Sequence, residues 1–203
     1  MIQADLHIHT VYSPDSLIQP KTIVDKLVAH SFIKVAAITD HDSVRGCRAT
    51  IDLASAYPDI LIIPGVEITT LLGDMVILGT DELPPRPWTP ESLVDYAKEV
   101  SAVTIIAHPF RRYGMGGAAR KYKVDAIEVL NGGSTVEENR QAKDLAKSMG
   151  LPGTAGSDAH QALELFSVNT RIDTSLDVDS VLKAIRKGSV SSHVTGGPTV
   201  NKG

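Results

Sequence analysis

"IQADLHIHTVYSPDS", residues 2–16, decides how the rest of the chain is read. IQADLHI (2–8) has the short, partly apolar pattern of a strand. His7 and His9 fall at its end, and SPDS supplies turn chemistry immediately afterwards. Side chains two apart on a strand point the same way, so His7 and His9 can grip one ion while Ile8 faces the opposite side. Asp15, in the turn, is placed to reach back over the strand end.

The same arrangement recurs along the chain. VAAIT (35–39) ends in Asp40 and His41, and LIIPGVEIT (61–69) carries Glu67. TIIA (104–107) ends in His108, AIEVL (126–130) in Asn131, and LPGTAGS (151–157) runs into Asp158 and His160. MVILG (75–79) and TRID (170–173) are further strand candidates. Helical patterns lie between them. One runs from about Pro20 to Ala29, a second from an N-cap at Ser43 through Ala56, and a third is opened by TPES (89–92). A fourth runs from about Thr135 to Ser148, stopped by Gly150 and Pro152, and a fifth from Asp177 to Lys187. Strands alternating with amphipathic helices imply a parallel sheet covered by helices, and about seven such units favour a closed or nearly closed barrel. The C-terminal ends of parallel barrel strands share one face, so the residues named above converge there. His30 and His193 have no comparable neighbours and are read as ordinary surface or packing residues.

Composition sets the bounds. A chain of 203 residues is expected to form one domain, 1–203, with a substantial core. Twenty Lys plus Arg against 24 Asp plus Glu give a net charge of −4, with no basic run to hold a nucleic-acid or membrane surface by bulk charge. The single cysteine, Cys47, cannot make an internal disulfide and is read as a small core residue. The N-terminus reads as a polar strand start rather than a leader, and no apolar run approaches the roughly 20 residues that span a bilayer. A cytoplasmic location is expected, and the oligomeric state is unreadable: Trp88, Phe110 and Tyr113 suit either a rim or an interface.

The motifs DLHIHT, ITDHD, PGVEIT, IAHP and GSDAH, in that order from residue 5 to residue 160, resemble the polymerase and histidinol phosphatase (PHP) superfamily of metal-dependent phosphoesterases. The resemblance implies a distorted, TIM-like (β/α)7 barrel with two or three divalent ions, Mn, Zn or Fe, at the C-terminal ends of the strands. It implies that His7, His9, Glu67 and Asp158 hold one ion. Asp15, His41 and His160 would hold another, with Glu67 and His108 contributing to a third. Asp40 is expected behind the ligands or at the rim. Many family members carry a further histidine between the Glu67 and His108 motifs, whereas this chain has GDMVILGTDE (73–82). Asp74, Asp81 or water would fill that gap, or the third ion would bind weakly.

The implied chemistry is hydrolysis of a small phosphorylated metabolite or nucleotide by a metal-bound hydroxide, with no Ser or Cys nucleophile. Asp15, Asp40 and His160 are the candidates for an acid beside the leaving oxygen. Arg111 and Arg112 follow AHPF at the active end of their strand and are the candidate phosphate contacts. Asn131 is a third candidate substrate contact, as a donor at the same mouth, or else a strand-end residue closing the turn before Gly132 and Gly133. The glycines of RRYGMGGAAR (111–120) make that loop the candidate for closing over a ligand. Two other readings stand beside this one: exonuclease-like action on nucleic-acid ends, disfavoured by the acidic balance, and a metal-binding regulatory module without turnover.

Overall fold

A computed structural model describes residues 1–196. Among the described residues, nine strands form one sheet. They are β1 (Ile2–Asp5), β2 (Ile33–Ile38), β3 (Leu61–Thr70), β4 (Gly73–Leu78), β5 (Val103–Ile106), β6 (Ala126–Asn131), β7 (Gly153–Gly156), β8 (Val168–Ile172) and β9 (Val190–Val194). Their spatial order is β7-β6-β5-β4-β3-β2-β1-β8-β9. The helices are α1 (Pro20–Ala29), α2 (Arg45–Ala54), α3 (Pro90–Glu99), α4 (Val136–Met149) and α5 (Val178–Lys187). The result is an α/β fold whose sheet curls into a nearly closed barrel with helices around it.

The sheet is less uniformly parallel than the alternation of elements suggests. β1, β2 and β3 pair in parallel, as do β5, β6 and β7, but β4 is antiparallel to both its neighbours. Only Leu71 and Leu72 separate β3 from β4, too short a link for a crossover helix, so the pair is a hairpin. β8 and β9 are antiparallel as well. Closure between β7 and β8 runs through a side chain: Thr170 Oγ1 accepts from Ala155 N at 2.7 Å and donates to Ala155 O at 2.9 Å.

Local sequence explains most helix ends. Thr135 and Glu138 form a reciprocal cap on α4, which stops at Gly150 with φ 67°. Thr89 and Ser92 do the same for α3, and Asp177 caps α5. Ser43 does not cap α2: the N-cap is Val44 without a side-chain bond, and Ser43 Oγ only accepts from Arg45 N at 3.3 Å.

Inward residues of β1, β2, β4 and β5 pack with Val181, Leu182, Ala184 and Ile185 of α5. Leu182 sits against Gly79, at the end of β4 remote from the hairpin turn, so α5 plugs the bottom of the barrel. The helices α1 and α2 cover one outer flank, α3 and α4 another, and each fully buried Ile or Leu contributes about 1.5–3 kcal/mol. Cys47 is buried, and Trp88 and Phe110 pack against the α3–α4 cluster, while Tyr113 is 74 % exposed. Among the described residues no helix is long and apolar enough to cross a membrane.

Candidate metal centre

The chain after β1 stays extended between two neighbours. Thr39 N donates to Ile8 O, Asp158 N to His7 O and His9 N to Ala159 O, so His7 and His9 are pinned from both sides. Both rings are fully buried and point inward. Gly156 lets them sit there, because a Cβ on it would lie 2.3 Å from His7 Cβ.

Four donors converge on one point. His7 Nε2 lies 3.0 Å from Glu67 Oε2, 3.1 Å from His9 Nε2 and 3.5 Å from Asp158 Oδ1. His9 Nε2 lies 3.2 Å from Glu67 Oε2 and 3.0 Å from Asp158 Oδ1. Four-coordinate ions with ligand distances of about 2.0–2.2 Å give edges of roughly 3.3–3.6 Å, close to these spacings. A second group, His9, Asp15, His41 and His160, adjoins it, with His160 Nε2 3.1 Å and His41 Nε2 3.6 Å from Asp15 Oδ2. A third comprises His41, Glu67 and Asp74. His108 Nε2 meets the other oxygen of Glu67 at 3.0 Å, which leaves Glu67 facing two sides.

Two imidazoles have their tautomer fixed from behind. His7 Nδ1 donates to Glu128 Oε1 at 3.0 Å and His160 Nδ1 donates to Asp158 O at 2.7 Å, so in the neutral ring each Nε2 carries the lone pair that faces the site. His9 Nδ1 and His108 Nδ1 are buried with no hydrogen-bond partner, the kind of orphaned polar atom that asks for an explanation. His108 (φ 25°) and Asp158 (φ 53°) hold left-handed backbone, strain of the sort that gathers at functional sites.

The electrostatics of the side chains suit a cation site. Burial pushes the His9 pKa down, but hydrogen bonds to Asp158 and Glu67 overcome it and hold it at about 9. His7 and His108 are likewise carried upward against burial by Glu67 and Glu128. Burial would raise Glu67 and Asp158, yet His7 and His9 hold both carboxyls well below the usual range. Asp15 is lowered against burial by Ser13 and the charges of His160, His41 and His9. Buried carboxylates thus draw protons onto the imidazoles where divalent charge would serve instead. The donor set, imidazole nitrogen with carboxylate oxygen, suits Zn, Mn or Fe.

The groups open onto a cavity of about 320 Å³ bordered by Asp15, His41, Asp74, His108, Arg111, Arg112, Tyr113, Asp158 and His160. Arg111 Nη1 is bonded to Asp158 Oδ2. Arg112 lies over the Tyr113 ring, 5.2 Å from its centroid. Asp40 does not reach the cavity: its oxygens accept from Thr10 N at 2.5 Å and Thr10 Oγ1 at 2.8 Å, beneath the first turn of α2. That geometry removes it from the three candidate acids and makes it a support for the Thr10 turn. Asn131 is buried and is not among the residues that border the cavity; it closes the turn and braces the carboxylates behind the site. Its Oδ1 accepts from Gly133 N, and its Nδ2 donates to Glu128 at 3.0 Å and to Asp158 at 3.3 Å. Asp81 faces Arg48 instead of the site. The 111–120 loop is tied down by Gly114 N and Gly116 N, bonded to Arg111 O and Pro109 O, before a 3-10 turn at Gly116–Lys121.

Two residues with large roles went unnoticed in the sequence. Glu128 collects His7 Nδ1, His108 N and Asn131 Nδ2. Asp5 accepts from Ser157 N at 2.8 Å and Phe166 N at 3.1 Å, and burial pushes its carboxyl up to about 6 despite those bonds. The signal for both was a lone acid within an apolar strand.

Comparison with known proteins places the chain among relatives. The chain is 32% identical over 142 residues to the uncharacterized protein MJ1587 of Methanocaldococcus jannaschii, covering 64% of this chain and 82% of that one. It is 30% identical to MJ0417 of the same organism, over 78% of this chain and 65% of that one. In structure it is similar to PsfC from Pseudomonas syringae PB-5123 (TM-score 0.72, 18% identity, covering 96% of this chain and 92% of that one). It is also similar to a protein of Bifidobacterium adolescentis provisionally classed as a metal-dependent phosphoesterase (TM-score 0.62, 16% identity, 77% and 87% covered). A further fold neighbour is Endonuclease Q, solved with a 27-mer duplex bearing an abasic lesion (TM-score 0.67, 16% identity, 95% and 58% covered). Residues 136–190 match a PHP-associated family and residues 5–131 match the PHP domain, the span that holds all but the last two of the clustered site residues, and the chain therefore belongs to the PHP domain family.

Proposed function

We propose that the chain is a divalent-metal-dependent phosphoesterase that hydrolyses a small phosphorylated metabolite or nucleotide. The observation that carries this reading is the meeting of two donor groups, sharing His9, at a cavity that two arginines border. His7, His9, Glu67 and Asp158 would hold one ion, and Asp15, His41 and His160 a second. Bound ions would lower the pKa of a water and neutralise the charge of the entering and leaving oxygens.

The chain's own residues do the rest. Arg111, anchored by Asp158, keeps further N–H donors for a phosphate, and Arg112 adds a second guanidinium at the rim. Glu128, through His7, holds an imidazole in its ligating tautomer. Of the three candidate acids, Asp15 and His160 border the cavity and Asp40 does not. Phosphate release from a panel of phosphomonoesters and nucleotides tests the proposal, using chelator-stripped protein reloaded with Mn²⁺ beside Glu67→Ala. Release that needs both metal and Glu67 supports it; a reloaded protein that binds metal and cleaves no ester refutes it. The fold likeness to Endonuclease Q favours a second reading, action on nucleic acid, for which shortening or nicking of a labelled oligonucleotide is the test.

A further inference from the structure

Arg111 stands between two cavities. One is the cavity of about 320 Å³ over the donor groups; the other, of about 270 Å³, lies beyond the guanidinium, and Asp158 and His160 border both. The rest of the second wall comes from Gly132, Gly133, Ser157, Glu164 and Ser167, so no aliphatic or aromatic side chain enters it.

Two turns build this wall. After β6 the chain turns at Gly132, where a Cβ would lie 2.5 Å from Ser157 O and 2.7 Å from Ser167 Oγ, so only glycine lets the turn approach both. A Cβ on Gly133 would come within 3.3 Å of Arg111 Nη1, and the second glycine keeps that side of the guanidinium open. After β7, Glu164 Oε2 accepts from His160 N at 2.8 Å and from Gln161 N at 2.9 Å, which fixes the carboxylate and leaves Oε1 with its lone pairs. Ser157 Oγ reaches His7 O only at 3.4 Å, and Ser167 is exposed. The cavity therefore offers two hydroxyls and a carboxylate oxygen.

Those groups select what they can pair with. An aliphatic or aromatic group would meet no apolar surface there and would strip water from a polar wall. A second phosphate or a carboxylate would face the like charges of Glu164 and Asp158. A neutral group with several hydroxyls can donate to Glu164 and both donate to and accept from the serines. Its phosphate then stays on the other side of Arg111, whose Nη1 is held by Asp158 and whose remaining N–H groups are the candidate phosphate donors.

We propose that the second cavity takes the alcohol portion of the substrate and that this portion is a short polyol or sugar, so that the ester is a polyol or sugar phosphate rather than a nucleotide or an aryl phosphate. The inference rests on the phosphate contact of the proposed function and not on turnover.

The test measures binding, by calorimetry on Mn²⁺-reloaded protein, of phosphonates whose C–P bond cannot be hydrolysed. Dihydroxybutylphosphonate and butylphosphonate share a carbon chain and differ in two hydroxyls, benzylphosphonate carries an aromatic ring, and inorganic phosphate reports the phosphate contact alone. The dihydroxy compound is expected to bind about tenfold or more tighter than butylphosphonate. Ser167→Ala should shrink that ratio about threefold or more, and Ser167→Leu, which fills the cavity, should abolish it. Equal affinities for the two chains, benzylphosphonate as the tightest ligand, or a ratio that both Ser167 variants leave unaltered would each overturn the inference while the phosphate contact stands. If neither inorganic phosphate nor any phosphonate binds, the phosphate contact of the proposed function falls with it.

Discussion

Glu128→Gln separates the role of His7's ring orientation from the role of His7 itself. Three N–H groups end on Glu128: His7 Nδ1 on Oε1 at 3.0 Å, and His108 N at 2.9 Å with Asn131 Nδ2 at 3.0 Å on Oε2. A glutamine keeps one oxygen and gains an NH₂ that cannot accept. If the oxygen stays opposite His108 and Asn131, one donor conflicts; if it turns to His7, two conflict. Each buried unmet donor costs roughly 1–3 kcal/mol, so the first arrangement wins. The NH₂ then faces His7 Nδ1, which relieves the conflict by passing its proton to Nε2. The lone pair leaves the side where Glu67, His9 and Asp158 converge. Loss of such a support behind a ligand lowers metal affinity by roughly 10- to 100-fold, or about 1.4–2.7 kcal/mol. Mn²⁺ titration of the stripped variant measures the affinity, urea unfolding checks the fold, and ¹⁵N spectra of the histidines read the tautomer directly. A folded variant with affinity within about twofold of wild type, or with His7 still protonated at Nδ1, would refute the reasoning.

Two further outcomes are expected from the same geometry. Thr170→Val removes the hydroxyl that bridges both backbone groups of Ala155, and is expected to cost roughly 2–4 kcal/mol in urea unfolding with little change in metal affinity; unchanged stability would mean that β7 and β8 are held together elsewhere. In metal-free protein His9 is raised from 6.5 to about 9, so it stabilises the fold fully below about pH 6.5, and that contribution is lost as pH rises through 9. Stripped protein should therefore lose melting temperature between pH 6.5 and pH 9 while metal-loaded protein does not, and metal uptake should tighten as pH rises over that window. Parallel melting curves for the two forms would contradict the assignment of His9 to the cation site.

How far the sequence could be read depends on whether a residue acts through its own strand or through a partner strand. His7, His9, His41, His108, Asp158 and His160 were legible because each lies just past the end of a strand, and such ends meet at one mouth; Glu67 was legible from its apolar strand, although β3 runs on past it to Thr70 and into the hairpin. The position of Asp74 was ambiguous because it depends on the direction of β4, which a two-residue turn decides and an alternation of strands and helices does not reveal. Asp40, expected behind the ligands or at the rim, lies behind them: it adjoins His41, but neighbours in a chain leave a strand in opposite directions, and Asp40 turns under α2 to Thr10.

The pairing of Glu128 with Asn131 needs one step more. Residues three apart on a regular strand face opposite sides, so AIEVLN by itself argues that Glu128 and Asn131 cannot meet. The register of β6 against β7 slips between Glu128 and Leu130, an extra residue that re-aims the side chains beyond it. Past the slip Asn131 swings to the face of Glu128, and its amide spans Glu128 and Asp158. A periodic reading is blind to such a slip, because the bulge is set by pairing with a strand more than twenty residues later. The same irregularity brings together the acid that orients His7, the amide that braces a ligand carboxylate and the turn that carries Gly132 past Ser157. The support behind the ligands is thus a product of β6–β7 register, which is why the ligands were legible and their support was not.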